Sequence, residues 1–150
     1  MDQPWQHYPS TGCTDLDGDH HAISLLLEKV LEAINAPGNA GLGERLTAVV
    51  TAVTEHFAHE EELMQASGYP RRVEHTAAHA LFVRDVLAFK AEFEAQGLTP
   101  AFRRWANGRL LEWFRRHIAV YDVELGLFLI AHGQEKAPAL PPALTTALPT

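Results

Sequence analysis

The stretch TEHFAHEEELM, residues 54–64, decides how the rest of the chain is interpreted. It carries His56, His59 and three consecutive glutamates among strongly apolar residues. Two interpretations are open: a solvated helix face with chance histidines, or a helix that turns some of these groups inward toward a charge. His56 and Glu60 are four residues apart and therefore share one face of a helix. The positions of the other histidines decide between the two.

The bulk composition narrows the class of protein. The chain has 150 residues, 47% of them hydrophobic, which fits a single domain with one core. Its one cysteine, Cys13, cannot form an internal disulfide and suits a reducing cytosol. The opening MDQPWQHYPS lacks the features of a signal peptide, and no window is apolar enough to cross a bilayer. With a net charge of −7, we expect a cytoplasmic protein that binds neither nucleic acid nor membrane.

Apolar residues recur every three or four positions in four segments, which predicts four helices. The first is expected to be capped by Asp15 or Asp17 and to end before APGNAG (36–41). The second covers about 42–66 with Gly68 as a left-handed C-cap, the third about 71–96, and Thr99 caps the fourth. The expected inward positions are His20, Ile23, Leu27, Val30 and Ile34; Leu46, Val49, Val53, His56, Glu60 and Leu63; His75, His79, Phe82, Val86, Phe89 and Phe93; and Phe102, Ala106, Leu110, Trp113, His117 and Val120.

Short loops between long helices predict an all-α fold, an up-down-up-down antiparallel four-helix bundle. The bundle is expected to occupy residues 1–135, with an N-terminal arm at 1–14 and a short packed segment, VELGLFLIAHG, after Asp122. Residues 136–150 are rich in proline and are expected to form a disordered or extended tail.

Histidine lies on all four inward stripes. A single histidine on an apolar stripe is ordinarily a satisfied core residue, and that interpretation stays open for any one of them. Five buried imidazoles would need partners that an apolar core lacks, whereas a bound metal would supply them. The candidate ligands are five imidazoles and two carboxylates, too many for one tetrahedral zinc and suited to two bridged ions: His20, His56, Glu60, His75, His79, His117 and Asp122. His117 and Asp122 are five residues apart, so Asp122 must lie near a helix end or in a loosened turn.

This set resembles the hemerythrin family, in particular its stand-alone bacterial members. The segments LDGDH (16–20), HFAHEEELM (56–64) with GYP (68–70), HTAAHALF (75–82) and WFRRHIAVYD (113–122) are similar to its ligand-bearing helices, and Trp5 also has a family counterpart. The resemblance implies two iron ions (Fe2+/Fe3+) that share an oxo or hydroxo bridge and the carboxylates of Glu60 and Asp122. It implies that His75, His79 and His117 complete one iron. It also implies that His20 and His56 bind the other iron, which keeps one position open for dioxygen.

Residues next to the ligands are expected to control that position. Ile23, Phe57 and Trp113, with Phe114 as a further candidate, could form a dry apolar wall, a role compatible with a place in the core. His59 stands where the family usually has an aromatic residue. Our hypothesis is a half-exposed modulator of the pocket that admits water or a proton and speeds autoxidation. Glu61 and Glu62 are expected to face water.

The favoured function is reversible oxygen binding by a carrier, store or delivery protein, not an enzyme. We expect a monomer that binds dioxygen, with an oxygen-consuming enzyme as a candidate partner. Three alternatives stay open at this stage: an oxygen or redox sensor, a di-iron enzyme acting on peroxide, nitric oxide or dioxygen, and a store of iron or zinc. A zinc hydrolase is disfavoured because the chain has His-x2-His-Glu but no His-Glu-x2-His.

Overall fold

A computed structural model describes residues 8–133 as four long helical rods. The first three are α1 (Thr14–Asn35), α2 (Leu42–Ser67) and α3 (Arg72–Gln96), with a 3-10 turn at Pro37–Asn39. The fourth rod runs from 100 to 131 and consists of α4 (Pro100–Trp105), α5 (Leu111–His117) and α6 (Val123–Ala131), joined by π-helical turns at Ala106–Leu110 and Ile118–Asp122. Residues 8–133 contain no strand. The predicted all-α four-helix bundle is confirmed.

Some sequence predictions concern residues outside the described range. Trp5 and the tail at 136–150 both lie there, so the tail and the domain boundary stay predictions. The segment after Asp122 is not a separate packed piece, because it continues the fourth rod as α6. None of the helices within 8–133 is both long and apolar enough to cross a membrane.

The loop residues act largely as their chemistry predicts. Gly68 ends α2 at a φ of 69°, and its N–H donates to the carbonyls of Met64 and Gln65. Thr99 caps the fourth rod, because its hydroxyl accepts a hydrogen bond of 3.1 Å from the Phe102 N–H. These two ends fix where the helices that carry the histidines stop and start.

The start of α1 differs from the prediction. The helix begins at Thr14, and neither Asp15 nor Asp17 occupies the N-cap position. The Asp17 carboxylate instead accepts hydrogen bonds from the Thr11 N–H at 2.9 Å and the Thr11 hydroxyl at 2.8 Å. It also accepts one from the Ser10 hydroxyl at 2.6 Å. Asp17 therefore ties the arm to the helix rather than capping it.

The core has two parts, one on each side of the histidine layer along the bundle axis. The larger part extends from Ile23, Val53 and Phe82 to the end that holds the first helical loop. The smaller part lies at the opposite end and contains Cys13, Leu16, Met64, Tyr69, Leu125 and Leu129. The candidate ligands occupy the polar layer between these two apolar regions, so both sides of that layer are closed to water.

The register of the fourth rod corrects one predicted stripe. Val120 was expected to face inward but is 46% exposed, whereas Phe114 and Ile118 are completely buried. Trp113 is only partly buried. The two π-helical turns explain the shift, since each widened turn accommodates an additional residue and rotates the following positions. On α2, similarly, Met64 is fully buried while Leu63 is only partly so.

Candidate metal centre

All four rods contribute to one buried polar cluster. α1 supplies one histidine, α2 a histidine and a glutamate one turn apart, α3 two histidines one turn apart, and the fourth rod a histidine and an aspartate. No member is more than 4% exposed: His20, His56, Glu60, His75, His79, His117 and Asp122. The structure thus brings together every residue that the sequence nominated as a ligand.

The imidazoles around Glu60 point their Nε2 atoms at its carboxylate. His56 Nε2 lies 3.1 Å from Glu60 Oε1, and His79 Nε2 lies 3.3 Å from the same oxygen. His75 Nε2 is 3.8 Å from Glu60 Oε2. Glu60 therefore contacts His56 of α2 as well as His75 and His79 of α3.

Asp122 contacts histidines of three different rods through its two carboxylate oxygens. Its Oδ1 lies 2.9 Å from His75 Nε2 and 3.2 Å from His117 Nε2. Its Oδ2 lies 2.9 Å from His20 Nε2. One carboxylate oxygen thus faces each side of the cluster.

The cluster divides into two ligand groups, whose donor atoms each lie within 4.8 Å of one another. The three-histidine group contains His75, His79 and His117, and the two-histidine group contains His20 and His56. Glu60 and Asp122 belong to both groups. This is the arrangement that two cations with shared carboxylates require.

The cluster also passes a test of fit for metal ions. All five Nε2 atoms and all four carboxylate oxygens are buried without a hydrogen-bond partner among the described residues, although several pairs approach to about 3 Å. Their angles are not those of hydrogen bonds, so the atoms converge on shared points instead of on one another. Two neighbouring ligands about 2.1 Å from an octahedral ion stand about 3 Å apart. Unpaired buried polar atoms are costly, and bound cations would satisfy them.

Neighbouring charges shift the pKa values of the two buried carboxylates in opposite directions. It raises the pKa of Glu60, and the charge of Asp122 raises it further. Burial alone would also raise the pKa of Asp122, but His117, His20 and His75 hold it well below its usual range. Without a metal, the pKa of Glu60 is therefore raised while that of Asp122 is lowered.

The pKa values of two imidazoles, His79 and His56, are also shifted in opposite directions. Burial lowers the pKa of His79 to about 2, helped by repulsion from His75 and His117, so this ring is neutral and ready to bind a cation. Burial alone would lower the pKa of His56, but contacts with Asp19 and a buried carboxylate raise it to about 10. A cation bound at His56 would take the place of that proton.

Comparison with known proteins agrees with this geometry. Residues 11–125 match the family model of the hemerythrin HHE cation-binding domain. The chain belongs to the hemerythrin family. It is 33% identical over 115 residues to a bacteriohemerythrin of Stenotrophomonas maltophilia (strain R551-3), a match that covers 76% of this chain and 72% of the relative. It is 31% identical over 91 residues to a bacteriohemerythrin of Pseudomonas aeruginosa (strain LESB58), covering 61% of this chain and 60% of the relative.

The fold of a solved hemerythrin agrees as well. A crystal structure of wild-type hemerythrin superposes with a TM-score of 0.72 at 24% identity, covering 86% of this chain and 97% of the other. This likeness concerns the fold. Membership of the hemerythrin family implies a non-haem di-iron site, and the buried cluster provides residues that fit one.

Aromatic rings line the hemerythrin cluster on several sides. Phe57 stacks on His79 with ring centroids 3.8 Å apart, and Phe114 meets His20 edge-on at 5.7 Å. Trp113 stacks on His117 at 5.0 Å. Ile23 is 2% exposed and lies one turn from His20. All four residues nominated for the pocket therefore lie close to candidate ligands.

Three further residues near the cluster were missed or misjudged from the sequence. Asp19 Oδ2 lies 2.9 Å from His56 Nδ1, and Glu61 Oε1 lies 3.2 Å from His79 Nδ1, so Glu61 does not simply face water. Tyr121 stacks on His117 at 5.1 Å. Each directly precedes or follows a candidate ligand in the sequence, which is the one signal that could have drawn attention to it.

His59 lies outside the cluster. Its side chain is 41% exposed, and its Nδ1 is 3.9 Å from Asp19 Oδ2. The distance is too long for a direct hydrogen bond. His59 therefore stands at the surface, next to the carboxylate that contacts His56.

Proposed function

We propose that this protein reversibly binds dioxygen at a non-haem di-iron centre held by the seven clustered residues. The observation that carries the proposal is the unequal division of histidines between two groups that share Glu60 and Asp122. With equal sharing of the carboxylates, the two-histidine group offers one protein ligand fewer. That metal position is the natural place for a small exogenous ligand.

The bound irons would supply the electrons that dioxygen needs in order to bind. The chain's own residues hold and shield the site. The five imidazoles and the two carboxylates that both groups share would hold the cations in place. Phe57 and Phe114, with the half-buried Trp113, cover the cluster with hydrocarbon, which limits the access of water. A dry wall favours release of the ligand unchanged over its reaction with solvent.

The placement of Tyr121 supports binding over an enzymatic reaction. Bond cleavage in dioxygen requires a proton donor at the open position, and tyrosine is one residue able to serve. Tyr121 packs on His117 and against His75, which both belong to the three-histidine group. Its ring therefore lies against the three-histidine group, for which no open position is proposed.

The test is an optical experiment on the iron-loaded protein. Metal analysis should give two irons per chain. A visible band should appear when oxygen is added to the anaerobically reduced protein and should fade on degassing, over repeated cycles. Direct conversion to the ferric form would contradict reversible binding and favour an enzyme or a single-use sensor. Failure to bind iron would contradict the di-iron assignment itself.

A further inference from the structure

Two carboxylates outside the cluster each hold one histidine of a different ligand group. Asp19, on α1, contacts Nδ1 of His56 on α2 at 2.9 Å. Glu61, on α2, contacts Nδ1 of His79 on α3 at 3.2 Å. In both cases the opposite ring nitrogen, Nε2, faces Glu60. Each carboxylate is thus a link between two helices and one step removed from the metal position.

The other three candidate histidines lack such a carboxylate contact at Nδ1 among the described residues. The Nδ1 atoms of His20, His75 and His117 are buried and have no hydrogen-bond partner among the described residues. Only one histidine in each group is therefore oriented by a carboxylate. The carboxylates themselves remain 44% and 39% exposed, for Asp19 and Glu61 respectively, so their charges stay solvated.

A carboxylate that accepts a hydrogen bond from Nδ1–H has three effects on a metal-binding imidazole. It fixes the tautomer that leaves the Nε2 lone pair free, and it increases the basicity of that nitrogen. It also locks the rotation of the ring, because the contact spans two helices. None of these effects requires the carboxylate to touch the metal.

The two contacts are not equivalent, because the groups they serve differ. His56 is one of two histidines in its group, while His79 is one of three. We propose that Asp19 is a positioning residue that sets how strongly the two-histidine metal position binds a small exogenous ligand, and that Glu61 mainly sets metal retention at the other position. This inference rests on the proposed di-iron function.

The experiment compares Asp19→Asn and Glu61→Gln with Glu62→Gln, a matched control on an exposed neighbouring glutamate. Three quantities are measured on the full chain: azide affinity of the oxidised iron protein, the rate of iron release to a chelator, and the 15N shifts of the histidines in the zinc-loaded protein. The nitrogen shifts report the tautomer without relying on oxygen chemistry.

We expect Asp19→Asn to lower azide affinity by about tenfold and to alter the His56 nitrogen shifts. Glu61→Gln should mainly speed iron release, by about 10- to 100-fold. Glu62→Gln should match the wild type. Asp19→Glu, which keeps the charge, should recover most of the azide affinity. This second variant separates loss of the carboxylate charge from a general folding defect.

Equal azide affinity and equal His56 shifts in Asp19→Asn and the control would overturn the inference. Identical effects of Asp19→Asn and Glu61→Gln on both iron readouts would overturn the assignment of one carboxylate to each metal position. A wild-type protein that takes up no iron would instead refute the proposed function, and that result is distinguishable before any variant is made.

Discussion

His117 and Asp122 meet although they are five positions apart, with His117 Nε2 3.2 Å from Asp122 Oδ1. The backbone between them is π-helical, and the Val123 N–H donates to the Ile118 carbonyl five residues back. A regular α-helix would turn the second residue well away from the first. Such wide turns are rare and frequently occur at functional sites. Here the turn delivers a carboxylate that faces three histidines.

Replacing Asp122 by asparagine should reduce the metal content of the protein. The amide keeps the shape but removes the charge and one of the two oxygens that face the ligand groups. We expect a decrease from two irons per chain to one or fewer, measured by elemental analysis after desalting. Asp85→Asn, a half-exposed carboxylate paired with Arg84, is the control and should retain both irons. Two tightly bound irons in Asp122→Asn would contradict the bridging role.

Removing the metal should lower the free energy of unfolding. The apo protein keeps unpaired imidazole nitrogens and carboxylate oxygens buried, and a cation that binds only the folded state stabilises it by mass action. Free metal at 100 times its Kd should add about 2.7 kcal/mol per site, measured by chemical denaturation. His75→Ala should lose much of this gain, while His132→Ala, at an exposed position, should keep it. Superimposable denaturation curves with and without metal would rule the effect out.

Substituting Gly126 by alanine should loosen the arm from α6. An added Cβ would lie 2.3 Å from the Thr11 carbonyl oxygen, so the backbone on one side must move. Overpacking of this kind costs about 1–3 kcal/mol. Gly18→Ala is the matched control, because it meets no atom within 4 Å and should stabilise α1 by up to about 1 kcal/mol. The urea concentrations at the unfolding midpoints of the two variants should therefore shift in opposite directions. Equal shifts would argue against the close approach of Gly126 and Thr11.

Replacing His59 by phenylalanine should slow autoxidation of the oxygenated protein several-fold. The half-exposed imidazole stands beside Asp19 and can bring water to the edge of the cluster, whereas a phenyl ring cannot. The measurement is the decay of the visible band in air at constant temperature. His132→Phe, remote from the cluster, should leave the rate unchanged. A rate for His59→Phe equal to the wild type would remove His59 as a modulator.

Most of the fold could be predicted from the sequence because local chemistry determines the helix boundaries. Gly68 and Thr99 end and begin helices through their own backbone and side-chain properties. The candidate ligands on the apolar stripes were recognisable because they recur at helical spacing, whereas Asp122 falls outside that spacing. The start of α1 was misplaced, since Asp17 bonds to Thr11 in the arm and not to its own helix.

What the sequence did not reveal depends on contacts between helices. The inward place of Ile118 and the outward place of Val120 follow from the π-helical turn, and a uniform periodicity cannot anticipate a local change in winding. Asp19 and Glu61 are each one residue away from a ligand in sequence. Their contacts with His56 and His79 depend on how neighbouring helices are rotated.

Because Trp113 stacks on His117, the tryptophan fluorescence of the protein should report whether metal is bound. The two rings are nearly parallel, at 13°, with centroids 5.0 Å apart. An iron held by His117 would lie within one imidazole ring of the indole, close enough to quench its fluorescence. Trp105 stacks on Phe89 in a more distant part of the core and provides a steadier emission for reference. Loading and loss of metal can therefore be followed in the unlabelled chain by its tryptophan emission.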